Sequence, residues 1–373
     1  MTEVESFLKK STIFSRLIAR VFLATTILAL CLAGCEHKAR PAADRAPCGL
    51  AVSEIRQCPN EQCVIECTDY GKKRKYGNSA PDRRVYCFGL LTAAKKYARP
   101  ISEAELQSQI AQLSKWKVRE RPGPYTFAEL REQLIKAMNI GFLINEIDSR
   151  PLKVTTTGVS GAAGYEEDTL LFDDPFIGEF EAILRTPATP GPHPMIIAVH
   201  GHDESPQRYA DAYSKEFLAR GYAVLMPTMP ALAAMCPEHE VTREFLLDGF
   251  TYLGVQCYEV LLALKYARHL AGNAPVGLIG KSGGSAVCNV VARLDDRFGA
   301  FVSDYQTDYF DLNESGQYVH TLAPALYPYH IRINDFASSN MPALAVPHGY
   351  VELGTAVSYL PRILAFFDRH LKR

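Results

Sequence analysis

The 373-residue chain lacks an excess of either charge. Its 40 lysine and arginine residues are offset by 41 aspartate and glutamate residues, which gives a formal net charge of −1. Proteins that bind nucleic acid usually carry a basic excess, so we expect no nucleic-acid partner. The chain also has no internal repeat or low-complexity tract. Since 47% of its residues are apolar, its composition is that of a globular protein with a substantial core.

The N-terminal apolar run is too short to cross a bilayer. It spans residues 21–35 (VFLATTILALCLAGC), whereas a spanning helix needs ~20 apolar residues. A segment containing two lysines and two arginines precedes the run. A basic segment before a short apolar run is typical of a secretory signal that is removed from the mature protein.

The end of this run, LAGC at residues 32–35, resembles the lipobox of bacterial lipoproteins. The resemblance implies cleavage before Cys35, acylation of Cys35 and attachment to a membrane without a spanning segment. We therefore expect a signal peptide over residues 1–34 and a polar tether over residues 35–47. The predicted location is the bacterial cell envelope, facing the periplasm or the exterior, and the sequence leaves open which membrane holds the anchor.

Half of the ten cysteines fall in one stretch, which we treat as a Cys-rich region over residues 48–98. Export to an oxidising compartment would favour disulfide bonds among these cysteines. The number is odd and connectivity cannot be read from sequence. A zinc site is the alternative, but the spacings in CPNEQCVIEC differ from those of zinc knuckles. The cysteines concerned are Cys48, Cys58, Cys63, Cys67 and Cys87.

Residues 99–150 are predicted to form a helical lead-in. Two segments there begin with a hydroxyl residue followed three positions later by glutamate, and helical spacing of apolar residues follows each pair. The pairs are Ser102 with Glu105 and Thr126 with Glu129. This pattern predicts a capping box at the start of each of two short amphipathic helices.

From residue 151 to residue 373, apolar strand patterns alternate with helical patterns. Alternation of this kind predicts an α/β domain with a mainly parallel sheet and helices on both faces. The segment EFLLDGFTYLGVQCYEVLLALKYARHLAG is predicted to be one long helical stretch.

The segment Gly280-Lys281-Ser282-Gly283-Gly284 matches the G-x-S-x-G pattern between an apolar strand and a helical segment. In that setting the serine occupies a tight, strained turn, and the glycines let strand and helix approach closely. A phosphate-binding loop would need an earlier glycine that is missing here. The pattern therefore predicts that Ser282 is a nucleophile.

A nucleophilic serine needs hydrogen-bond donors for the oxyanion that forms. The sequence HGHDES follows the strand MIIAV about 80 residues before Ser282. The backbone N–H groups of Gly283 and of Gly201 or His202 are the candidate donors. The alternative is a metal pair formed by His200 and His202, for which the sequence suggests no third ligand.

Three segments, PMIIAVHGHDES, GYAVLMPTMP and VGLIGKSGGSAV, resemble the α/β-hydrolase superfamily in their order and spacing. Two further segments, RTPATPGPHPMIIAVHGH and DGFTYLGVQCYEVLLALKYARHL, are similar to its acetyl-xylan-esterase and dienelactone-hydrolase-like branch. The resemblance covers roughly residues 125–373. It implies the α/β-hydrolase fold, an acyl-enzyme mechanism and no cofactor or metal.

The family pattern places an acid and then a histidine after the serine. His348 follows the strand MPALAV and precedes the last amphipathic helix, as the family histidine does. Asp304, at the end of the strand AFVS, is the favoured acid. Two strands usually follow the nucleophile helix before the last helix, and only one is obvious here. Alternatives therefore stay open: Asp308, Asp335 and Glu352 for the acid, and His320 for the base.

The sequence thus predicts an exported, lipid-anchored serine hydrolase that acts on a small-molecule or carbohydrate ester. One alternative is a peptidase of the prolyl-oligopeptidase kind, but about 115 residues before the sheet are too few for its propeller. The other is a binding lipoprotein with this fold that has lost activity. Acyl and alcohol specificity and the oligomeric state stay open.

Overall fold

The structure is a computed structural model that describes residues 64–67, 84–87, 99–114, 126–162, 164–201, 206–229, 242, 245–247, 249, 251–303, 341–346 and 359–372. The chain divides into two units, Met1–Arg45 and Ala46–Arg373. The first unit, with the predicted signal and Cys35, lies outside the described residues. Within the described part of the chain, no helix is both long and apolar enough to span a membrane.

The Cys-rich region contributes one antiparallel hairpin, formed by strands β1 (Val64–Cys67) and β2 (Arg84–Cys87). Cys67 pairs with Arg84 in register, and Cys87 pairs with Val64, so the two cysteines are not paired with each other in the register of the two strands. The other cysteines of the region lie outside the described residues, and the disulfide prediction stays untested. Later in the chain, Cys257 and Cys288 are free thiols and buried.

The described residues of the lead-in contain three helices: α1 (Glu103–Ser114), α2 (Phe127–Met138) and α3 (Gly141–Ile144). The capping box predicted for α2 is confirmed. The backbone N–H of Glu129 donates to the Thr126 hydroxyl at 3.3 Å, and the backbone N–H of Thr126 donates to the Glu129 carboxylate at 2.8 Å. At α1, the backbone N–H of Glu105 donates to the Ser102 hydroxyl at 3.2 Å.

An eight-stranded sheet forms the centre of the molecule, in the order β10-β9-β8-β6-β7-β5-β4-β3. Its strands are β3 (Lys153–Ala162), β4 (Tyr165–Asp174), β5 (Gly178–Pro187), β6 (Met195–Val199), β7 (Ala223–Pro227), β8 (Val276–Gly280), β9 (Ala300–Ser303) and β10 (Ala343–Ala345). The five strands from β6 to β10 are parallel, and β3, β4 and β5 join them as an antiparallel extension. This mixed, mostly parallel sheet has the arrangement of the α/β-hydrolase fold, so the predicted fold class is confirmed.

Helices cover the two faces of the sheet. The other helices in the described part of the chain are α4 (Pro206–Ala219), α5 (Tyr252–Ala271), α6 (Gly283–Leu294) and α7 (Leu360–Leu371). One apolar cluster contains residues of α2, α5 and α6, and a second contains residues of α4 and α7. Neighbouring residues of a strand point to opposite faces: Ile197 belongs to the first cluster and Ile196 to the second. This explains why all five residues of β6 are buried.

Helix α5 begins later than its apolar pattern predicts. Thr251 has extended backbone angles, and its side-chain oxygen accepts the backbone N–H of Gly254 at 3.1 Å. A hydroxyl that caps a helix satisfies one of its unpaired N–H groups, so the helix starts directly after it. Periodicity alone does not reveal this boundary, because buried residues continue on both sides of Thr251.

Candidate active site

Ser282 occupies a strained backbone conformation between β8 and α6. Its φ is 49° and its ψ is −120°. Among the described residues, only Asn139 and Ser282 are non-glycine residues with positive φ. Asn139 lies in the left-handed helical region and ends α2, which is a common place for asparagine. The angles of Ser282 have no such ordinary role, and strain of this kind concentrates at functional sites.

The glycines on both sides of Ser282 are required by close backbone contacts. A Cβ at Gly280 would lie 2.5 Å from the carbonyl oxygen of Gly284 and 2.7 Å from the Cα of Ser285. A Cβ at Gly284 would lie 2.3 Å from the carbonyl oxygen of His200. The turn can therefore hold strand β8, helix α6 and the end of β6 together only without side chains at these positions.

Hydrogen bonds hold the same turn in place. The backbone N–H of Lys281 donates to the carbonyl of Val199 at 3.0 Å, and the N–H of Ser285 donates to the carbonyl of Ser282 at 2.9 Å. The first bond ties the turn to the end of the neighbouring strand β6. The second begins the turns of α6, so the position of the Ser282 backbone is set from both sides.

Two of the candidate oxyanion donors, Gly283 and Gly201, are among the described residues at the carboxyl edge of the sheet. Gly283 is the first residue of α6, and the first N–H groups of a helix have no intrahelical acceptor. Gly201 follows β6 and is buried. The backbone just before it, at the His200 carbonyl, touches the first turn of α6, as the crowding at Gly284 shows. His202, the third candidate, lies outside the described residues.

His200 is a structural histidine. Its side chain is buried, its Nε2 accepts the backbone N–H of Met229 at 3.1 Å, and its Nδ1 lies 2.8 Å from the carbonyl oxygen of Gly201. An accepting Nε2 places the ring proton on Nδ1, which donates to that carbonyl. The ring thus links the segments that follow β6 and β7. Backbone groups contact both ring nitrogens, which argues against His200 as a metal ligand.

The strands that precede the candidate acid and base end at the edge of the sheet where Ser282 lies. In register, Gly280 of β8 is level with Ser303 of β9, and Ser303 is level with Ala345 of β10. Asp304 is the next residue after Ser303, and His348 follows Ala345 by three positions. Both of these residues lie outside the described residues. So do the alternatives, which are Asp308, His320, Asp335 and Glu352.

A buried pair of serines below the turn was not singled out by sequence reasoning. The Oγ atoms of Ser285, in the first turn of α6, and Ser303, at the end of β9, are 2.5 Å apart. Both side chains are fully buried. The only sequence signal would have been two serines at the ends of otherwise apolar segments, which is too common a pattern to single them out.

The two buried thiols near α6 are poor candidates for a nucleophile. Burial raises the pKa of Cys257 and of Cys288 well above the ordinary range. A cysteine attacks as the thiolate, which is scarce when the pKa is raised. The serine turn is therefore the better candidate among the described residues.

No family model and no curated protein matches the chain. Solved structures similar to it include a Bacteroides fragilis protein, 16% identical over 66% of this chain and 75% of its own, with a TM-score of 0.49. Another is the acetyl xylan esterase from Paenibacillus sp. R4, which is 13% identical over 70% of this chain and 99% of its own, with a TM-score of 0.47. A third is acetyl xylan esterase 1 from a Thermoanaerobacterium species, which is 16% identical over 69% of this chain and 87% of its own, with a TM-score of 0.40. At these identities and TM-scores we draw no conclusion about activity. The strand order and the serine turn after β8 are those of the α/β-hydrolase fold.

Proposed function

We propose that the protein is a serine hydrolase that cleaves carboxylic esters through an acyl-enzyme. The observation that carries the proposal is the backbone of Ser282, held at φ 49° between two glycines that have no room for a side chain. A serine has no structural need for this conformation, which glycine would adopt without strain. Ser282 is partly exposed and stands at the carboxyl edge of the sheet and the N-terminus of a helix. Presenting a reactive hydroxyl at this place would explain why a serine is kept in a strained conformation.

The proposed reaction has two steps. In the first, Ser282 Oγ attacks the ester carbonyl carbon while His348 accepts the hydroxyl proton. The oxyanion is bound by the N–H of Gly283 and by the segment at Gly201 and His202. The bond to the alcohol oxygen breaks, and His348 returns the proton to that oxygen. In the second step, His348 takes a proton from water as the water oxygen attacks the acyl carbon; the bond to Ser282 Oγ then breaks, His348 returns the proton to Oγ, and the carboxylic acid is released. Asp304 orients the imidazole and stabilises its charged form.

The level strand ends support His348 and Asp304 as partners of Ser282. Strands β8 and β10 are separated by two strand spacings, or about 10 Å. His348 lies three residues beyond Ala345, and three extended residues span about 10 Å. The histidine is thus within chain reach of the Ser282 turn. For Asp304 the distance to be covered is shorter, since the strand before it, β9, directly adjoins β8.

The proposal also covers where the enzyme works. The lipobox-like sequence at residues 32–35 supports acylation of Cys35 and retention on a membrane of the bacterial envelope. The substrate we propose is a small-molecule or carbohydrate ester that reaches the enzyme outside the cytoplasm.

The decisive experiment is covalent labelling of the folded protein with a fluorophosphonate probe. We expect labelling of the wild type, and loss of labelling and of nitrophenyl-acetate hydrolysis in Ser282→Ala, by at least ~10³-fold. Ser214→Ala, which removes a buried serine hydroxyl on α4, is the control and should label normally. A folded wild type that stays unlabelled would instead favour a binding protein. A series of nitrophenyl esters with longer acyl chains would then define the specificity.

The base and the acid are tested by substitution within each set of candidates. His348→Ala should lower kcat to the level of Ser282→Ala, whereas His320→Ala should leave most of the activity. Asp304→Asn should cost more activity than the same change at Asp308 or Asp335, or than Glu352→Gln. Equal activity of His348→Ala and wild type would remove His348 from the mechanism but would leave Ser282 as the nucleophile.

A further inference from the structure

One buried hydrogen bond joins the helix that follows Ser282 to the strand that precedes the candidate acid. The hydroxyl oxygens of Ser285 and Ser303 are 2.5 Å apart, and neither side chain is exposed to solvent. Buried hydroxyl groups are costly unless they are paired. The packing of α6 on β9 could be met by apolar side chains of the same size, so the pair is not needed to fill space.

Ser303 is also the point where three elements meet at the edge of the sheet. Its hydroxyl contacts α6, and its carbonyl accepts the backbone N–H of Val346, at the end of β10, at 2.9 Å. At the Ser285 end of the serine–serine hydrogen bond, the backbone N–H of Ser285 donates to the carbonyl of Ser282 at 2.9 Å. A short chain of hydrogen bonds therefore runs from the Ser282 turn to the ends of both β9 and β10.

We propose that Ser285 and Ser303 are positioning residues, whose hydrogen bond sets the distance between the Ser282 turn and the strand ends that lead to the acid and the base. This inference rests on the proposed function. A hydrogen bond between two side chains has a preferred length and direction, which an apolar contact lacks. Because a displacement of about 1 Å can cost ~10²-fold in rate, fixing the two strand ends against the helix matters more for catalysis than for stability.

The test uses Ser285→Ala and Ser303→Ala in the full chain, each of which removes one hydroxyl and adds no atoms to the core. We expect kcat for nitrophenyl acetate to fall about 10-fold in both variants, with KM unchanged. We also expect the acidic limb of the pH profile of kcat/KM to move to lower pH, because an acid that is poorly aligned stabilises the imidazolium less. The two variants should show the same fall in kcat and the same shift of the pH profile, since each removes the same hydrogen bond.

Ser214→Ala is the matched control for loss of a buried hydroxyl. Ser214 is fully buried on α4, donates to the carbonyl of Ala210 at 2.6 Å and accepts from Arg185 at 2.8 Å. The control should lower the unfolding temperature without changing kcat or the pH profile. If Ser285→Ala and Ser303→Ala behave in the same way as this control, the serine pair is purely structural and the inference is wrong. Failure of the proposed function looks different, because the wild type would then carry no probe on Ser282; that result would overturn both.

Discussion

At the scale of single residues, Gly284 is the position with the least room. An added Cβ would lie 2.3 Å from the carbonyl oxygen of His200 and 2.5 Å from that of Val199. Both are backbone atoms of the segment that ends β6, and they cannot rotate away as a side chain could. A larger residue must therefore push α6, and the Ser282 turn with it, away from the sheet.

We expect Gly284→Ala to lower the free energy of unfolding by about 3 kcal/mol and to abolish probe labelling. Gly141→Ala is the control, because a Cβ there would lie no closer than 3.5 Å to its neighbours; its stability should stay within about 1 kcal/mol of wild type. Urea unfolding and fluorophosphonate labelling measure the two effects. Normal labelling of Gly284→Ala would show that the turn does not depend on the close approach.

Glu259 is a carboxyl group buried on α5, with 3% of its surface exposed. Burial raises its pKa well above the ordinary value of 4.5, and the negative charge of Asp174 raises the pKa further. In the unfolded chain the group loses its proton near pH 4.5, while in the folded protein it stays protonated to higher pH. The folded protein then binds more protons, so its stability falls as the pH rises from 4.5 towards the folded pKa.

The corresponding prediction concerns Glu259→Gln, which removes the titration. The variant should differ little from wild type near pH 4.5 and should become increasingly more stable than wild type as the pH rises towards the folded pKa of Glu259. Chemical unfolding at several pH values gives the difference, with Glu132→Gln, an exposed change on α2, as the control. A difference that does not vary with pH would mean that Glu259 does not titrate as a buried acid.

At the scale of elements, a buried polar network fastens the lead-in to the sheet and to α5. The phenol of Tyr258 donates to Asp174 Oδ2 at 2.8 Å and accepts from Arg150 Nη1 at 3.0 Å. Asp174 Oδ1 accepts the backbone N–H of Phe176 at 2.8 Å, and the Arg150 guanidinium lies 4.1 Å from the Phe176 ring centre. Burial raises the pKa of Tyr258, so its phenol remains a donor at neutral pH. The segment before β3, the turn after β4 and helix α5 therefore share one set of bonds.

Tyr258→Phe tests this network. The change keeps the ring but leaves Asp174 and Arg150 each without one partner, and we expect a loss of roughly 2 kcal/mol. Tyr266→Phe is the control on the same helix, since Tyr266 packs its ring edge-on against Phe172, and it should be nearly neutral. Unfolding by urea followed by circular dichroism gives both values. Equal stability of the two variants would mean that the network adds nothing to the packing.

At the scale of the whole molecule, the predicted lipid anchor would determine where the proposed hydrolase works. Acyl chains on Cys35 would hold the protein on a membrane, and the polar stretch after Cys35 would separate the domain from the surface. The proposed anchor and the proposed catalytic site belong to different units of the chain, so we expect that removing one leaves the other intact.

Cys35→Ser in the full chain should abolish incorporation of labelled palmitate and move the protein from the membrane fraction to the soluble fraction. Ester hydrolysis and probe labelling of Ser282 should stay at the wild-type level. Ser53→Ala, a change of similar size in the Cys-rich region, serves as the control. Membrane retention of Cys35→Ser without a lipid label would indicate an uncleaved signal anchor.

The sequence by itself determined the elements and their order, because those follow from local patterns. The apolar segment at 276–280, the glycines around Ser282 and the capping pair Thr126 and Glu129 each act over a few residues. These local signals can therefore be recognised from the sequence without knowledge of distant contacts. The fold class followed from the alternation of strands and helices, and the role of Ser282 remains a prediction from the same motif.

Only the tertiary structure decided which distant residues meet. Ser285 meets Ser303 across 18 positions, Arg150 meets Tyr258 across 108, and the ring of His200 binds the backbone of Met229 across 29. No local pattern encodes these contacts, since each depends on how the strands are ordered in the sheet and where each strand ends. The start of α5 at Tyr252 depends in the same way on Thr251 lying at the edge of the core, where the hydroxyl can turn back to cap the helix.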